Sequence, residues 1–598
     1  MIRSLGALVA CVLIEACEQP APPPDPHTVR IVCDIRNMEV DFFAETPPEI
    51  PLSALMSERP AKILQGAAGS PPQPFVVYPE SFSVPKGEEI RLKYAGELLS
   101  SGSSLASVEI FDAHTHKSQK LQEFGKDQHP IEPEVCKSWY HGCGFSNHIN
   151  VATKDLRPGL YYAFLTDTNG VQATPVYFHV RPTAEEVAAA DIVILLSEPT
   201  WYAYNFYAGG SLYGIHRTGE DGTVKTLQHY SSRLYAASMQ RPLLGDPSGA
   251  RPHFDTQRKV QEFFQAPGHT NLGTPSFDRK RNPSWIRVSP ESNLVFSRFL
   301  RGKNFSTVTV AMSDIDATPS LLAGQPLLLV SGHNEYWTNS MITSVEDFVS
   351  RGGRIANFSG NVMWWQISII DGTIYLDQIG HQRSDRCEEV LPAPFRGTGY
   401  RHLLHDTAPE KLFGVNYRFA NYPLDHINDY SEADVLDIYG IVRADVDLGT
   451  TQGIIVTEPG HPIFKGLSLK PGDRMLRDVP LLAVELDGAP LKPDGALDRS
   501  FANDFPADTR ILGTGSAFVA TLQQTADGLH TYGGPKEVAL IVDVVPDTNP
   551  SARTVSVGSI GVYVGLAFQD PVTERLVLNT IEYLRSGQSA NDNIGEQP

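Results

Sequence analysis

The segment "PLLLVSGHNEYWTNSMITSVEDFVSRGGRIANFSGN", residues 326–361, contains the clearest indication of the fold in this sequence. Its apolar run, Leu327–Val330, leads to a Ser-Gly turn and predicts a buried strand. One face of a helix follows at the expected spacing, formed by Ile342, Val345, Phe348 and Val349. Gly352 and Gly353 end this helix, and "RIANFSGN" predicts the next strand. Alternation of strand, helix and strand is typical of an α/β doubly wound sheet.

Two further apolar runs upstream also predict buried strands, "ADIVILLS" at 190–197 and "STVTVAMS" at 306–313. We therefore predict an α/β doubly wound core over 183–586, with insertions in its later part. Ligands bind such sheets at the carboxyl ends of the strands. Glu198, His333 and Asn361 directly follow three predicted strands, so they are the first candidates for a site.

Residues 73–182 show a different pattern, short alternating strands separated by Pro-Gly and Asn-Gly turns. Such spacing predicts an all-β sandwich. The stretch "PGLYYAFLTD" is similar to the penultimate strands of an immunoglobulin-like module. We expect an immunoglobulin-like sandwich that precedes the α/β core.

The N-terminal stretch "MIRSLGALVACVLIEAC" carries one arginine and then a short apolar run, which predicts a signal peptide over 1–17. Ile14, Ala16 and Cys17 resemble the lipobox of bacterial lipoproteins, in which the cysteine is lipidated, although Glu15 departs from it. The alternative is plain cleavage and a soluble exported protein. We predict a Pro-rich linker over 18–72, a disordered tail over 587–598, and a location in the periplasm or cell envelope, with membrane contact through the lipid anchor.

Composition narrows the function further. The 598 residues have a net charge of −20, which excludes nucleic acid as the main partner because phosphate binding requires a basic face. Among the six cysteines, Cys136 and Cys143 lie close enough in sequence to form a disulfide in an exported protein. A zinc site with the nearby His141 and His148 is the weaker alternative.

His333 and Glu335 are the strongest pair of chemical groups. Residues two apart on an extended segment point the same way, so both side chains can face one cleft. They could ligate a metal or act as a base beside a ligand. The structural alternative is that His333 caps the strand end and Glu335 pairs with an arginine.

A second cluster, "TWYAYNFYAGGSLYG" at 200–214, is rich in tyrosine. Its phenols could stack on sugars or serve as phenolate ligands of a strong Lewis acid such as ferric iron. The alternative is an aromatic core loop. The chain contains no G-x-S-x-G elbow, no phosphate-binding GxxxxGK[ST] loop and no HExxH motif.

Several ordered blocks together resemble the large subunit of N,N-dimethylformamidase and, more broadly, the family that shares its C-terminal domain. They are "TWYAYNFYAGGSLY", "VSGHNEYW", "GGRIANFSGNVMWWQ", "GTGYRHLLHDTAPEKLFGVNY" and "GSIGVYVGLAF". The resemblance implies a glutamine-amidotransferase-like core without its catalytic cysteine. It also implies a mononuclear ferric (Fe3+) site held by two tyrosines and one glutamate.

Carried over by motif, Glu335 corresponds to the carboxylate ligand and Tyr204 to one phenolate, with Tyr213 as its rival. The second phenolate of the family follows an Arg-Pro pair. The matching position here is Leu243, which cannot ligate a metal. The substitutes would be Tyr213, Tyr230 or Tyr235; otherwise the metal site is weakened or lost.

The resemblance therefore implies a hydrolase of C–N bonds in a small amide substrate, and the predicted signal peptide implies that it is exported. A homo-oligomer is a further expectation. In this role His333 and Glu335 would move protons, and Asn334 or Asn361 would donate a hydrogen bond to the oxyanion. The alternative is a non-catalytic or carbohydrate-binding envelope protein that keeps the fold without the metal. A carbohydrate-active enzyme would instead need a carboxylate pair, for which Glu198 and Glu335 are available.

Overall fold

The computed structural model describes 75–96, 103–115, 117–125, 128–134, 136, 139–173, 175–205, 207–212, 214–218, 224–226, 236–243, 290–324, 327–376, 409–423, 453–476, 485–500, 505–525, 528–567 and 569–587. The predicted signal peptide with Cys17, the linker, nearly all of the tail, and Tyr213, Tyr230 and Tyr235 lie outside these residues. Within them, no helix is long and apolar enough to span a membrane.

The strands are β1 (Phe75–Pro79), β2 (Ser83–Pro85), β3 (Glu89–Gly96), β4 (Leu105–Asp112), β5 (Ser118–Glu123), β6 (His148–Ala152), β7 (Gly159–Asp167), β8 (Val176–Arg181), β9 (Ile192–Leu196), β10 (Gly210–Ser211), β11 (Gly214–Thr218), β12 (Val224–Thr226), β13 (Ala236–Ser238), β14 (Thr307–Ala311), β15 (Leu327–His333), β16 (Tyr336–Trp337), β17 (Arg354–Gly360), β18 (Trp365–Ile370), β19 (Thr373–Leu376), β20 (Asn416–Pro423), β21 (Ile454–Val456), β22 (Arg474–Met475), β23 (Leu486–Pro490), β24 (Asp508–Thr525), β25 (Gly528–Val545) and β26 (Arg553–Val557).

The α-helices are α1 (Ala184–Ala188), α2 (Glu198–Ala203), α3 (Glu291–Gly302), α4 (Met312–Ala317), α5 (Asn339–Ser350), α6 (Pro409–Phe413), α7 (Val562–Ala567) and α8 (Pro571–Ser586). Short 3-10 helices cover Tyr207–Gly209, Pro319–Leu322 and Pro462–Phe464.

The largest sheet has the strand order β14-β9-β15-β17-β26-β25-β23-β20-β24-β21-β22. Its strands from β14 to β26 pair in parallel, and β26 meets β25 antiparallel. In chain order the parallel strands read 2-1-3-4-5. The connections leave β9 toward β14 on one side and return to β15 on the other, so a crevice opens between the carboxyl ends of β9 and β15.

Helices cover both faces of the parallel strands, because alternate apolar residues of each strand point to opposite sides. One face packs against α3, α7 and α8, and its buried side chains include Ile192, Ile194, Leu327, Leu329, Phe296 and Leu576. The other face packs against α4 and α5, and its side chains include Val193, Leu195, Leu328, Val330, Ile342, Val345, Phe348 and Val349. The four residues of the predicted helix face all lie in this second core.

Residues before the parallel strands form two further sheets, β1-β3-β6 and β2-β8-β7-β4-β5, which enclose one apolar core. The described residues as a whole are mostly strand, in mixed sheets. The predicted α/β class therefore applies only to the parallel strands and their helices. The immunoglobulin-like likeness and the domain boundaries stay predictions.

A buried polar network joins β2 and β8 to α4. Ser83 Oγ donates to Asp314 Oδ2 at 2.8 Å, and His179 Nδ1 lies 3.1 Å from the same oxygen. Arg181 Nε donates to Asp314 Oδ1 at 2.7 Å, and His179 Nε2 lies 3.1 Å from the carbonyl oxygen of Thr309. Burial raises the pKa of Asp314, but His179 and Arg181 outweigh it and hold that pKa below its usual value. We call these five residues the clamp.

Candidate active site

Tyr204 follows α2, the short helix that directly continues β9. Pro199 occupies the first turn of α2, a position where its fixed φ suits a helix start. Thr200 of the same helix accepts hydrogen bonds from the backbone N–H of Glu335 at 3.0 Å and of Tyr336 at 3.4 Å. The helix that ends at Tyr204 is thus tied to the loop that carries Glu335.

His333 is the last residue of β15 and is fully buried. It follows Gly332, whose φ of +70° and whose contact with Ser292 exclude a side chain: a Cβ there would lie 2.4 Å from Ser292 Oγ. Asn293 Nδ2 donates to the carbonyl oxygen of Ser331 at 3.0 Å. The N-terminus of α3 therefore fixes the strand end that presents the imidazole.

Four polar side chains converge on one point in this crevice. Tyr204 Oη lies 2.9 Å from His333 Nε2 and donates to Glu335 Oε2 at 2.9 Å. His333 Nε2 lies 3.1 Å from Glu335 Oε2 and 3.1 Å from Glu485 Oε2. His333 Nδ1 lies 3.3 Å from the carbonyl oxygen of Gly360, which makes it the donor in the neutral ring. The structure brings together three residues that the sequence selected and adds Glu485.

Glu485 and Asp487 are the residues that sequence reasoning missed. Their stretch "ELDG", 485–488, places two acids two residues apart, the same spacing that singled out His333 and Glu335. Gly360 lets Glu485 approach, since a Cβ on Gly360 would lie 2.5 Å from the Glu485 carbonyl oxygen. The spacing in "ELDG" was an available signal, but nothing local indicates that this segment reaches β17.

Asn361 and its neighbour Val362 are held by the buried Asp487. Asp487 Oδ1 accepts from the N–H of Asn361 at 2.7 Å, and Oδ2 accepts from the N–H of Val362 at 2.9 Å. Burial raises the pKa of Asp487 to about 8, more than these two donors lower it. Asn361 has a φ of +56°, and its Nδ2 donates to Glu485 Oε2 at 3.3 Å. Asn361 therefore holds a left-handed conformation, which asparagine tolerates, with its backbone bonded to Asp487 and its side chain bonded to Glu485.

Asn334 lies between His333 and Glu335 and is fully buried. Neither its Oδ1 nor its Nδ2 has a hydrogen-bond partner among the described residues. Its backbone carbonyl accepts from the N–H of Met363 and from Trp337 Nε1, each at 2.9 Å. The loop is therefore held by its backbone and not by the Asn334 side-chain amide.

Leu243 is partly buried and packs against the aromatic cluster that contains Tyr204. Its segment is held by Arg241, which is fully buried and donates to the carbonyl oxygens of Tyr202 at 2.9 Å and Tyr207 at 2.7 Å. Asn205 Nδ2 also donates to the carbonyl oxygen of Pro242 at 2.8 Å. The position that the family comparison assigned to a phenolate thus belongs to the wall around Tyr204, where leucine supplies an apolar surface.

Glu198 is the third acid at a strand end, and its carboxylate is engaged by α4. It accepts from the N–H of Met312 at 2.9 Å and of Ser313 at 2.6 Å. Burial raises the pKa of Glu198 to about 7, against the lowering effect of Ser313 and Met312. A glycosidase would need Glu198 and Glu335 as a carboxylate pair, but the Glu198 carboxylate is already bonded to the start of α4.

The donor set around His333 suits a hard cation, since it contains a phenol and carboxylates. Neighbouring ligands in octahedral coordination lie about 2.9 Å apart for metal–oxygen bonds of about 2.0–2.1 Å. The separations of Tyr204, Glu335 and His333 are close to that value. Among the described residues, no group of three or more His, Cys, Asp or Glu side chains could hold a metal. A metal here would therefore depend on the phenol.

Cys136 and Cys143 are joined in a disulfide bond. Their sulfurs are therefore not thiolate ligands, which removes the basis of the zinc alternative with His141 and His148.

Comparison with solved structures gives only weak likenesses. The alkylpurine DNA glycosylase AlkC of Pseudomonas fluorescens bound to DNA containing an abasic site analog is 17% identical over 22% of this chain and 37% of its own, with a TM-score of 0.14. The superoxide reductase (neelaredoxin) of Ignicoccus hospitalis is 11% identical over 18% of this chain and 78% of its own, with a TM-score of 0.12.

A Paenibacillus cycloisomaltooligosaccharide glucanotransferase complexed with cycloisomaltoheptaose is 8% identical over 48% of this chain and 52% of its own, with a TM-score of 0.15. TM-scores this low carry no argument about fold or function. No curated protein matches the chain.

A family model gives the informative match. The model described as "N,N-dimethylformamidase beta subunit-like, C-terminal" matches residues 111–573, which include every described residue of the candidate site. The match spans well over half of the 598 residues. The chain therefore belongs to the N,N-dimethylformamidase beta subunit-like family.

Proposed function

We propose that this protein is an exported hydrolase of amide C–N bonds. The observation that carries the proposal is the convergence of Tyr204, His333, Glu335 and Glu485 within 3.1 Å contacts at the carboxyl ends of β9 and β15. The family match supports the reaction class through the enzyme named in its description. The 2-1-3-4-5 order of the parallel strands is that of a flavodoxin-like doubly wound sheet, and the finer glutamine-amidotransferase-like core is part of this proposal.

Tyr204 and Glu335 would hold a ferric ion, since their oxygens already meet at 2.9 Å. When bound, the ion would polarise the amide carbonyl and acidify water. Leu243 supplies no ligand, so the second phenolate of the family has no counterpart at that position.

The protein side chains would move the protons. His333 Nε2 contacts both Glu335 and Glu485, so it would take up a proton from Glu335, forming the imidazolium, and release it from the same nitrogen to Glu485. The bond of Nδ1 with the Gly360 carbonyl keeps the ring oriented while Nε2 exchanges its proton. Glu485, which also accepts from Asn361, is placed to deliver that proton to the leaving amine.

Iron content and colour test the proposal. Wild type loaded with ferric iron is expected to show the visible tyrosinate-to-iron band and to release amine from N-methylformamide or N,N-dimethylformamide. Tyr204→Phe should lose the band, Glu335→Gln should lose most of the iron, and Tyr140→Phe, a partly exposed control, should keep both. A wild type that takes up no iron and releases no amine would rule the function out.

A second candidate function is a fold-preserving envelope protein without the metal, which binds carbohydrate or another ligand. The packing of Leu243 against the Tyr204 cluster favours it, because leucine stands where a ligand is required. Under this candidate Leu243→Tyr should create iron binding that wild type lacks. Equal iron uptake by wild type and Leu243→Tyr would favour the hydrolase instead.

A further inference from the structure

The side-chain amide of Asn361 is oriented by Glu485. A carboxylate oxygen only accepts, so the Asn361 atom 3.3 Å from Glu485 Oε2 is the nitrogen. The carbonyl end of the same planar amide, Oδ1, must then point elsewhere. The sequence-based expectation gave Asn361 the role of a donor to an oxyanion, whereas the structure commits a donor of Asn361 to Glu485.

Oδ1 of Asn361 is a buried acceptor on the same amide whose nitrogen contacts Glu485. The residue is 3% exposed, and Oδ1 has no hydrogen-bond partner among the described residues. Leaving a buried carbonyl oxygen without a hydrogen-bond donor carries a free-energy cost. A bound ligand with an N–H group removes this cost.

The position of this acceptor is fixed. The N–H groups of Asn361 and Val362 both donate to Asp487, and the side-chain amide is held by Glu485, which contacts His333. The acceptor therefore cannot turn away to find another partner without breaking these bonds. It lies beside the group that would protonate the leaving amine.

We propose that Asn361 is the specificity-determining residue of this site and that it accepts the N–H of a primary or secondary amide. The inference rests on the proposed amide hydrolysis and names its substrate class. N,N-disubstituted amides lack the N–H and leave Oδ1 unsatisfied. A site built around a hydrogen bond discriminates against the analogue that lacks it.

Two amides that differ by one N–H, N-methylformamide and N,N-dimethylformamide, provide the test. The preference is the ratio of their kcat/KM values, and comparing that ratio between variants cancels the intrinsic reactivity of the amides. Asn361→Gly removes the side chain at a φ that glycine adopts freely, so the variant should fold. The expected preference for N-methylformamide is about tenfold lower in Asn361→Gly than in wild type.

Asn361→Asp keeps an acceptor oxygen and a side chain tolerant of this φ, and a proton shared with Glu485 Oε2 would replace the amide donor. This variant should therefore retain the preference even if its overall rate falls. Asn304→Gly is the matched control, an exposed left-handed asparagine after α3 that should leave the preference unchanged. An unchanged ratio in Asn361→Gly, or a preference lost equally in Asn361→Asp, would overturn the proposal.

Binding separates this inference from the proposed function. If no variant hydrolyses either amide, the hydrolase proposal fails, but the dissociation constants of the two amides can still be compared by NMR titration at millimolar concentration. Wild type should then bind N-methylformamide about tenfold more tightly than Asn361→Gly does, with little change for N,N-dimethylformamide. Equal affinities in both proteins would refute the role of Asn361.

Discussion

His179 and His333 are both fully buried and both contact carboxylates, yet their surroundings differ in kind. In the clamp, a single carboxylate receives His179, Ser83 and Arg181. At the candidate site, two carboxylates meet one nitrogen of His333. The first arrangement balances opposite charges, which stabilises a structure. The second concentrates like charges, which requires a proton or a cation and is therefore suited to chemistry.

Replacing a carboxylate with its amide beside each of the two histidines should separate these roles. Glu485→Gln removes one of the two carboxylates at His333 and the final proton donor, so kcat/KM for amide hydrolysis should fall by about a thousandfold. The free energy of unfolding should change by less than about 1 kcal/mol, since the repulsion between the carboxylates is relieved. Amine release and denaturant titration measure the two effects, and a stability loss as large as the activity loss would contradict the comparison.

Asp314→Asn makes the matching change in the clamp and should have the opposite outcome. It leaves the buried His179 and the partly buried Arg181 around a neutral amide, so we expect a loss of about 3–4 kcal/mol in the free energy of unfolding. Activity of the folded fraction should remain within about twofold of wild type. Asp347→Asn, on the exposed side of α5, is the control. An Asp314→Asn protein as stable as this control would show that the clamp does not stabilise the contact of β2 and β8 with α4.

Glu198, which connects α2 to the start of α4, provides the test with the smallest expected effect. Its pKa is raised from 4.5 to about 7, so the folded protein binds a proton there more tightly than the unfolded chain does. The contribution of Glu198 to the stability of wild type should therefore fall by about 3 kcal/mol in total as the pH rises from about 4.5 to about 7.

Glu198→Gln cannot ionise and should lack this contribution. The difference between variant and wild type, measured by denaturant titration at several pH values, should grow in favour of Glu198→Gln across that window. The exposed Glu89→Gln should show no such trend. A difference that does not vary with pH would mean that Glu198 titrates near its ordinary value.

The parallel strands could be predicted from the sequence, because runs such as Leu327–Val330 are buried on both sides and form a clear apolar pattern. It also selected Tyr204, His333 and Glu335, which the structure brings together. The sequence did not predict Glu485 as a site residue, because its position depends on pairing between β23 and strands far away in sequence. The orientation of the Asn361 amide depends on Glu485 in turn, so its acceptor could not be foreseen. The metal, the substrate and export stay predictions.

The placement of β26 has a consequence for how the protein is made. β26 completes the parallel strands beside β17, yet β17 ends at Gly360 and β26 begins at Arg553. During synthesis the edge of β17, with its unpaired backbone N–H and C=O groups, must wait for most of the remaining chain, and closing so long a loop is slow. Glu485 is also synthesised in this interval, so a nascent chain that already contains Tyr204 and His333 still lacks part of the candidate site. Until β26 pairs with β17, this chain is prone to aggregate.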